Sequence, residues 1–429
     1  MNLKSIATID WICAFYLIGA VLSHFFLRAF PGWLFLLTLV ILGALSYNYK
    51  RNRPVLNATF FTFFLFLGLF RTAGSFTTKF PLGTMTLRGY VAEAPVFSQR
   101  SQKFPLKTSY GTAFVTTDKY AFPILYGDVL EVSGDFSKRK NIVEVGFPKI
   151  LRLPGNEGNF LFAAAYSLRN NFTNILTRIL PSPENSLASG LLLGTSGITD
   201  KNFIENLRIT GTSHIVSVSG FNVSIVIIGV LTLLSFGSTK LSLLPLILIV
   251  FLFDLLVGFT PPVLRATFMG LMLFFAKFVG RQRNTTDALL FSAAIITFLD
   301  PQSLSSVSFQ LSFLATAGIV YFYPLTYRFL SGIHDFFREP LALTLSAQLA
   351  VMPIIIYNFG TLSLISPLAN LLVGWAIIPL MALTFLTGFF GVIIYPLGQF
   401  FGALDLVLLT YFVKIIELLA KIPWASVQL

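Results

Sequence analysis

L241SLLPLILIVFLFDLLVGFTPPVLRATFMGLMLFFAKFV279 decides the class of this protein. Two apolar runs, Leu241 to Val257 and Val263 to Val279, flank a Gly-Phe-Thr-Pro-Pro turn, and between them they hold one acid and very few cations. Runs of this length and purity suit hydrocarbon about 30 Å thick better than a water-soluble core. The pattern recurs on both sides. Downstream runs lie near Ala288 to Leu299, Phe309 to Leu325, Leu341 to Ile356, Leu364 to Ile394 and Phe401 to Leu419, and Ile215 to Leu234 precedes them. Roughly seven to nine helices are expected in this part, several interrupted by Pro or Gly as in discontinuous helices that line a cavity. Three more runs, Ile12 to Leu27, Trp33 to Leu45 and Leu56 to Leu69, open the chain.

Composition agrees. The 429 residues are 55% hydrophobic and 11% charged with mean hydropathy +0.79, which excludes a water-soluble globular protein. Thirty Lys and Arg against eighteen Asp and Glu leave a formal +12, favouring anionic partners such as lipid headgroups, nucleic acid or a negatively charged solute. One cysteine, Cys13, and three histidines exclude a disulfide framework and a His-rich metal centre built by this chain alone. No metal or cofactor site is expected. The first run lacks a small-residue cleavage site before the next and reads as a retained anchor. The basic turn Tyr49 to Arg53 and the later Lys277, Arg281 and Arg283 favour the cytoplasm, which puts the N-terminus inside and the segment after the third run outside.

From Phe76 to Pro154 the pattern changes. Apolar residues alternate, and Pro81, Gly89, Pro95, Gly111, Gly127-Asp128 and Gly134-Asp135 punctuate short runs. Strands are expected at Thr86 to Val91, Thr112 to Thr116, Val129 to Ser133 and Ile142 to Val145, which suits a small barrel such as an OB-fold or a sandwich fragment. Eleven basic and six acidic residues give this segment about +5, a surface that attracts an anionic polymer or is simply solvated. Asn159 to Leu180 reads as an amphipathic interfacial helix. The expected fold is therefore a polytopic α-helical membrane protein with an inserted small all-β, OB-like domain outside the membrane. It divides into N-terminal helices (1–75), the basic β domain (76–155), the interfacial helix (156–185) and a helical core (186–429).

Ionisable groups in hydrocarbon cost at least ~2.5 to 3.5 kcal/mol at a helix centre, so those in the core mark the place to look for function. They are Arg208, His214, Asp254, Arg265, Asp300, Lys414 and Glu417, with Asn222, Gln310, Gln348, Asn358 and Asn370 as neutral companions. The tract Gly211-Thr-Ser-His-Ile-Val-Ser-Val-Ser-Gly-Phe-Asn222 concentrates hydroxyls, an imidazole and an amide. Its Ser219-Gly220 step can break a membrane helix and free backbone groups for a ligand, or its side chains can serve capping and helix contacts. A nucleophile at Ser217 or Ser219 activated by His214 lacks a nearby acid. Thr260-Pro-Pro-Val-Leu-Arg265-Ala begins another helix, and Arg265 beside its positive end is poorly placed unless an anion is also there. The other reading is a buried ion pair with Asp254. Asp300-Pro301 reads as a helix cap, and Ser305, Ser308, Ser312 and Thr316 form one polar stripe that suits close helix packing or a pore lining.

Taken in order, these segments resemble the ComEC family, the inner-membrane channel proteins of bacterial DNA uptake. GTSHIVSVSGFNVSIV, PPVLRA, DPQSLSSVSFQLSFLATAG, AQLAVMP and SPLANLL carry the resemblance, with Asn222 where the family often has histidine. The resemblance implies a non-enzymatic channel for single-stranded DNA during natural transformation. Its path would be lined by His214, Ser217, Ser219, Asn222, Arg265, Gln310, Gln348 and Asn370. The outer domain would offer Lys103, Lys107, Lys138, Arg139 and Lys140 to phosphates and Phe104, Tyr110 or Tyr120 to bases. Implied partners are membrane lipid, an external DNA receptor, a cytoplasmic ATP-driven motor or DNA-binding proteins, and a second copy of the chain. With no Walker-type loop in the sequence, energy is expected from outside. No His-x-His-x-Asp-His tract is present, so the nuclease activity associated with the metallo-β-lactamase-like domain of larger members is expected to be absent. The competing classes are a transporter or flippase for a small anionic or lipid-linked solute and an intramembrane hydrolase.

Overall fold

The computed structural model describes residues 6–25, 53–73, 80–97, 101–118, 124–139, 142–194, 200–216, 218–233, 243–278, 280 and 284–428. The expected middle helix Trp33 to Leu45, the basic turn from Tyr49 to Asn52, Ser217, Lys140 and the side chains of Arg139, Lys277, Arg281 and Arg283 lie outside that description.

The chain is mostly helical, with a small β-barrel near its N-terminus. Two helices come first, α1 (Ile6–Phe25) and α2 (Arg53–Ala73). They lie against each other because Gly19 sits on the Leu65 carbonyl and Gly68 on that of Tyr16, where any side chain would collide with backbone.

Strands β1 (Gly83–Val91), β2 (Val96–Phe97), β3 (Ser101–Thr108), β4 (Gly111–Asp118), β5 (Asp128–Arg139), β6 (Ile142–Gly146) and β7 (Lys149–Asn156) follow. β1 pairs with both β3 and β5, β3 with β4, β5 with β6, and β4 runs parallel to β6, so five strands close into the ring β1-β3-β4-β6-β5. β2 and β7 are appended to β3 and β5. Closure leaves the five strands without a free edge, and Phe104, Leu106, Val115, Leu130, Val132 and Phe136 fill the interior. Asp128, 2% exposed, ties the lower rim by accepting from Arg152 at 2.6 Å and from the Leu125 amide at 2.9 Å.

All four expected strands are present, each extended. Three strands of the barrel were not expected: the two-residue β2, β3, whose Pro105 argues against a strand, and β7, which carries Pro154. The structure also corrects the stacking surface, because Phe104 is wholly buried in the barrel.

The barrel is seated on α3 (Phe160–Ile179), whose N-cap Asn159 accepts from the Leu161 amide. Tyr126 lies 6.0 Å from Phe162 and 5.1 Å from Tyr166, and its hydroxyl accepts from the Asn159 amide at 3.2 Å. The apolar face of α3 meets protein: Phe172, Ile175 and Ile179 rest on Gly388, Gly391 and Gly402.

Beyond it come α4 (Glu184–Leu193), α5 (Lys201–Ile209), α6 (Ser213–Val216), α7 (Gly220–Leu233), α8 (Leu243–Val257), α9 (Pro261–Phe278) and α10 (Thr285–Leu299). A 3-10 turn (Pro301–Ser305) leads into α11 (Val307–Phe329) and α12 (Asp335–Phe359). The short strand β8 (Thr361–Ser363) precedes α13 (Ser366–Gly374), α14 (Ile377–Ile393) and α15 (Tyr395–Ala420), and β9 (Ser426–Gln428) returns to pair with β8.

The apolar runs that lie within the described residues fall on helices, yet fewer of them reach spanning length than the runs suggest. Among the described residues α11 and α12 are long and apolar enough to cross a membrane, and α13 with α14, bent by 52°, makes a third if the pair is one span. Several of the others are shorter apolar stretches. α8, for example, has 15 residues and rises about 22 Å, because Gly258 and Pro261 end it before the next helix begins. The expected run from Ile215 to Leu234 is likewise split into α6 and α7 at the Ser219-Gly220 step.

Candidate functional site

The polar tract between α5 and α7 organises the core. Thr210 and Thr212, both fully buried, share a hydrogen bond of 2.8 Å. Gly211 between them adopts φ +69°, a left-handed turn that packs its Cα onto Ser363 and Ser366. His214 is exposed and its Nδ1 lies 3.0 Å from the Gly211 carbonyl. Asn222, 2% exposed, donates through Nδ2 to the Leu191 carbonyl at 2.7 Å and accepts from Ser219 Oγ at 3.2 Å. The tract is thereby fixed to the end of α4, against which Val216 also packs at Gly190.

α7 begins at Gly220, and the Arg265 guanidinium lies against that glycine. Arg265, one turn into α9, donates Nε to Ser312 Oγ of α11 at 2.8 Å and has Nη1 3.6 Å from Met269 Sδ. Neither partner carries charge. The expected pair with Asp254 does not form: Asp254 accepts instead from Thr267 Oγ1 at 2.8 Å and leaves its other carboxylate oxygen buried without a partner. Thr267 and Arg265 are two residues apart on α9 and so point to different sides of the helix, which directs the acid and the base into different packing interfaces. Arg265 is therefore a half-buried cation held by neutral groups, close to the N-terminal ends of both α7 and α9. Such a position suits an anion, since helix N-termini and a guanidinium attract the same charge.

A second group of amides meets the tract near Gly211. Gln348 donates to the Ser363 carbonyl at 2.9 Å and Asn370 to Ser366 Oγ at 3.4 Å, while the oxygens of both amides are buried and unpartnered. Ser363 and Ser366 are the residues that Gly211 touches, so Gln348, Asn370 and the Gly211 to His214 turn form one polar patch. Gln310 is apart from it, donating to the Leu304 carbonyl at 2.8 Å to close the 3-10 turn. Asp300 caps that turn through the Gln302 amide and Ser303 Oγ. Of the serine stripe, Ser312 is the member that meets Arg265. The nucleophilic arrangement is absent at Ser219, which bonds Asn222 while His214 faces the Gly211 carbonyl.

On the barrel, Lys103 is already engaged by Glu144 at 2.7 Å and lies over the Phe114 ring. Lys138 is exposed on β5. Lys107 belongs to an open groove of about 480 Å³ lined by Arg88, Gly89, Tyr90, Thr108, Ser109, Val129 and Glu157, with its ammonium 5.8 Å from the Tyr90 ring. Arg88 and Tyr90 were not among the expected residues. Their signal was present in the alternation of β1, where Leu87 and Val91 turn inward and Arg88 stands out. Tyr110 is exposed on the neighbouring hairpin.

Residues 191–429 match the family model described as "Competence protein". The chain belongs to the competence protein family. It is 26% identical over 242 residues to "ComE operon protein 3" of Bacillus subtilis (strain 168), which covers 56% of this chain and 30% of that protein. It is 27% identical over 275 residues to "Uncharacterized protein YcaI" of Escherichia coli (strain K12), 57% of this chain and 35% of that protein. The chain thus spans about a third of the length of these curated relatives. No solved structure matches it. The matched region begins on α4, near the carbonyl that Asn222 grips, and takes in the polar tract, Arg265 and the amide patch.

Proposed function

We propose that this competence-family chain conducts single-stranded DNA across a bacterial cytoplasmic membrane, with the barrel outside and the N-terminus in the cytoplasm. The observation that carries the reading is Arg265, a guanidinium in the helical core with only neutral partners among the described residues, set against the start of α7. A moving polyanion supplies the missing charge one phosphate at a time, and isolated cations release it as readily as they bind it. The barrel's connectivity supports an OB-type reading: counting the ring strands alone, the order is 1-2-3-5-4 with a parallel closing pair. In this reading a strand enters along the groove at Arg88, Tyr90 and Lys107, where phosphates meet the cations and a base stacks on the ring.

The seating of the barrel supports continuity of the route. Phe162 of α3 reaches Phe259 at 5.9 Å, immediately before α9 and Arg265. The remaining lining comes from His214, Ser219, Asn222, Gln348 and Asn370, and the four-part division of the chain follows the same route from barrel to core. Force comes from partners, an external receptor and a cytoplasmic ATP-driven motor, and the chain itself is non-enzymatic. A small anionic solute would use Arg265 equally well but has no use for the groove.

Uptake of labelled DNA by cells carrying Arg265→Gln, beside Arg88→Glu with Lys107→Glu, tests the proposal. Loss of internalised DNA in the first and of surface-bound DNA in the second is expected. Normal uptake in both would overturn it in favour of the small solute.

A further inference from the structure

Asp405 lies in the middle of α15 and is completely buried. One carboxylate oxygen accepts from Thr384 Oγ1 of α14 at 2.8 Å; the other has no partner. Thr387, one turn further along α14, is also fully buried, and its hydroxyl is likewise unpartnered. Two orphaned oxygens of adjacent helices thus share one interface, where Thr387 packs against Gly402, three residues before Asp405. The interface is unusually close: Gly398 lies on Gly391, and α3 covers the outside with Phe172, Ile175 and Ile179.

Among the described residues, nothing on the surrounding elements neutralises the acid. α14 has no ionisable residue. On α15 itself, Lys414 pairs with Glu417 at 2.9 Å and stands about 13 Å along the helix from Asp405. Glu184 of α4 accepts from Thr410, Arg208 of α5 pairs with Glu205, Lys201 of α5 is exposed, and Tyr411 donates to the Leu372 carbonyl. On α3, Arg178 is exposed and Tyr166 lies against Tyr126 of the barrel. Arg169 precedes by three residues the Phe172 that marks the near end of the contact with α14. A lone carboxylate in such surroundings is too costly to persist without a positive charge, and none of the described residues supplies one.

We propose that Asp405, Thr384 and Thr387 form a binding site for a monovalent cation, either sodium or a proton, within the α14–α15 pair. Sodium takes the unpaired carboxylate oxygen and the Thr387 hydroxyl as ligands; a proton takes the carboxylate alone. The site is separate from the polar tract and from Arg265, and it needs no assumption about what the chain conducts. Asp254 and Thr267 repeat the acid and threonine pairing without a second orphaned hydroxyl.

Modification by a hydrophobic carbodiimide tests this directly, since the reagent attacks a carboxyl that carries a proton and is excluded where a metal ion sits. The full chain in lipid vesicles is treated across a pH series at low and high sodium, and the adduct is mapped by peptide mass. Asp405→Asn serves as the control for assignment. An adduct on Asp405 slowed about tenfold when sodium reaches about ten times its dissociation constant establishes the sodium form. An adduct indifferent to sodium but suppressed as pH rises establishes the proton form. No adduct on Asp405 under any condition, or one that forms equally at every pH and sodium level, overturns the proposal.

Discussion

Replacing Arg265 with glutamine separates a conducting role from a structural one. In the structure the guanidinium makes a hydrogen bond to Ser312 and a contact to Met269, with no acid beside it among the described residues. Removing this half-buried cation, one turn from the start of its helix, relieves at most the ~2.5 to 3.5 kcal/mol desolvation cost of a membrane helix centre. Losing the charged hydrogen bond to Ser312 costs about 1.5 to 3 kcal/mol. These nearly cancel, so the thermal stability of purified Arg265→Gln is expected to stay within about 1 kcal/mol of the parent. Transport is different. A phosphate that loses its charged donor gives up about 1.5 to 3 kcal/mol, which at 1.36 kcal/mol per decade slows passage roughly 10- to 150-fold. Internalised label per cell, normalised to membrane content, measures that rate, and Arg265→Lys should fall between because it keeps the charge without the fork that reaches Ser312. Full uptake with intact protein, or a fall in stability that accounts for all lost uptake, would refute the reasoning.

Other expectations follow from single contacts. Arg88→Glu with Lys107→Glu should weaken binding of single-stranded DNA to the detergent-solubilised chain and reduce the slope of log affinity against log salt by about 1.4, at ~0.7 per phosphate contact. An unchanged slope would remove the groove from the DNA route. Asn222→Leu strands the Leu191 carbonyl in the core and should cost about 1 to 3 kcal/mol in thermal unfolding, whereas Ser219→Ala should cost less than half as much. Gly220→Ala places a methyl group on the Arg265 guanidinium and should reproduce the uptake defect of Arg265→Gln, read in the same assay. Asp128→Asn weakens the contact with Arg152 at the barrel rim and should lower barrel stability by about 1 to 3 kcal/mol, seen as faster proteolysis within residues 124–156.

Much of this architecture can be read from residues 241–279 and their counterparts, because long apolar runs have few alternatives to helix. What escaped was set by three-dimensional neighbours. Pro105 hides β3 from a pattern reading, although its neighbours Phe104 and Leu106 are core residues. Asp254 and Arg265 are close in sequence and of opposite charge, yet rotation about α9 turns one to Thr267 and the other to Ser312. Asp405 went unnoticed among the ionisable residues of the core, although an aspartate inside the apolar first half of Phe401 to Leu419 was its signal. His214, Asn222, Gln348 and Asn370 were legible as polar residues beside helix breakers. That Gly211 and its serine contacts gather His214, Gln348 and Asn370 into one patch was not, since it depends on the left-handed turn and on the return of β9 to β8.

The central claim is that a nucleic acid strand passes Arg265. A photoreactive side chain placed at Ser312, at Met269 or at the outward-facing Leu248, in cells stalled during DNA uptake, measures that passage by covalent capture of the strand. Capture at Ser312 and Met269 and none at Leu248 is the predicted result. Capture confined to the barrel, with none at Ser312 or Met269 while uptake proceeds, would contradict it.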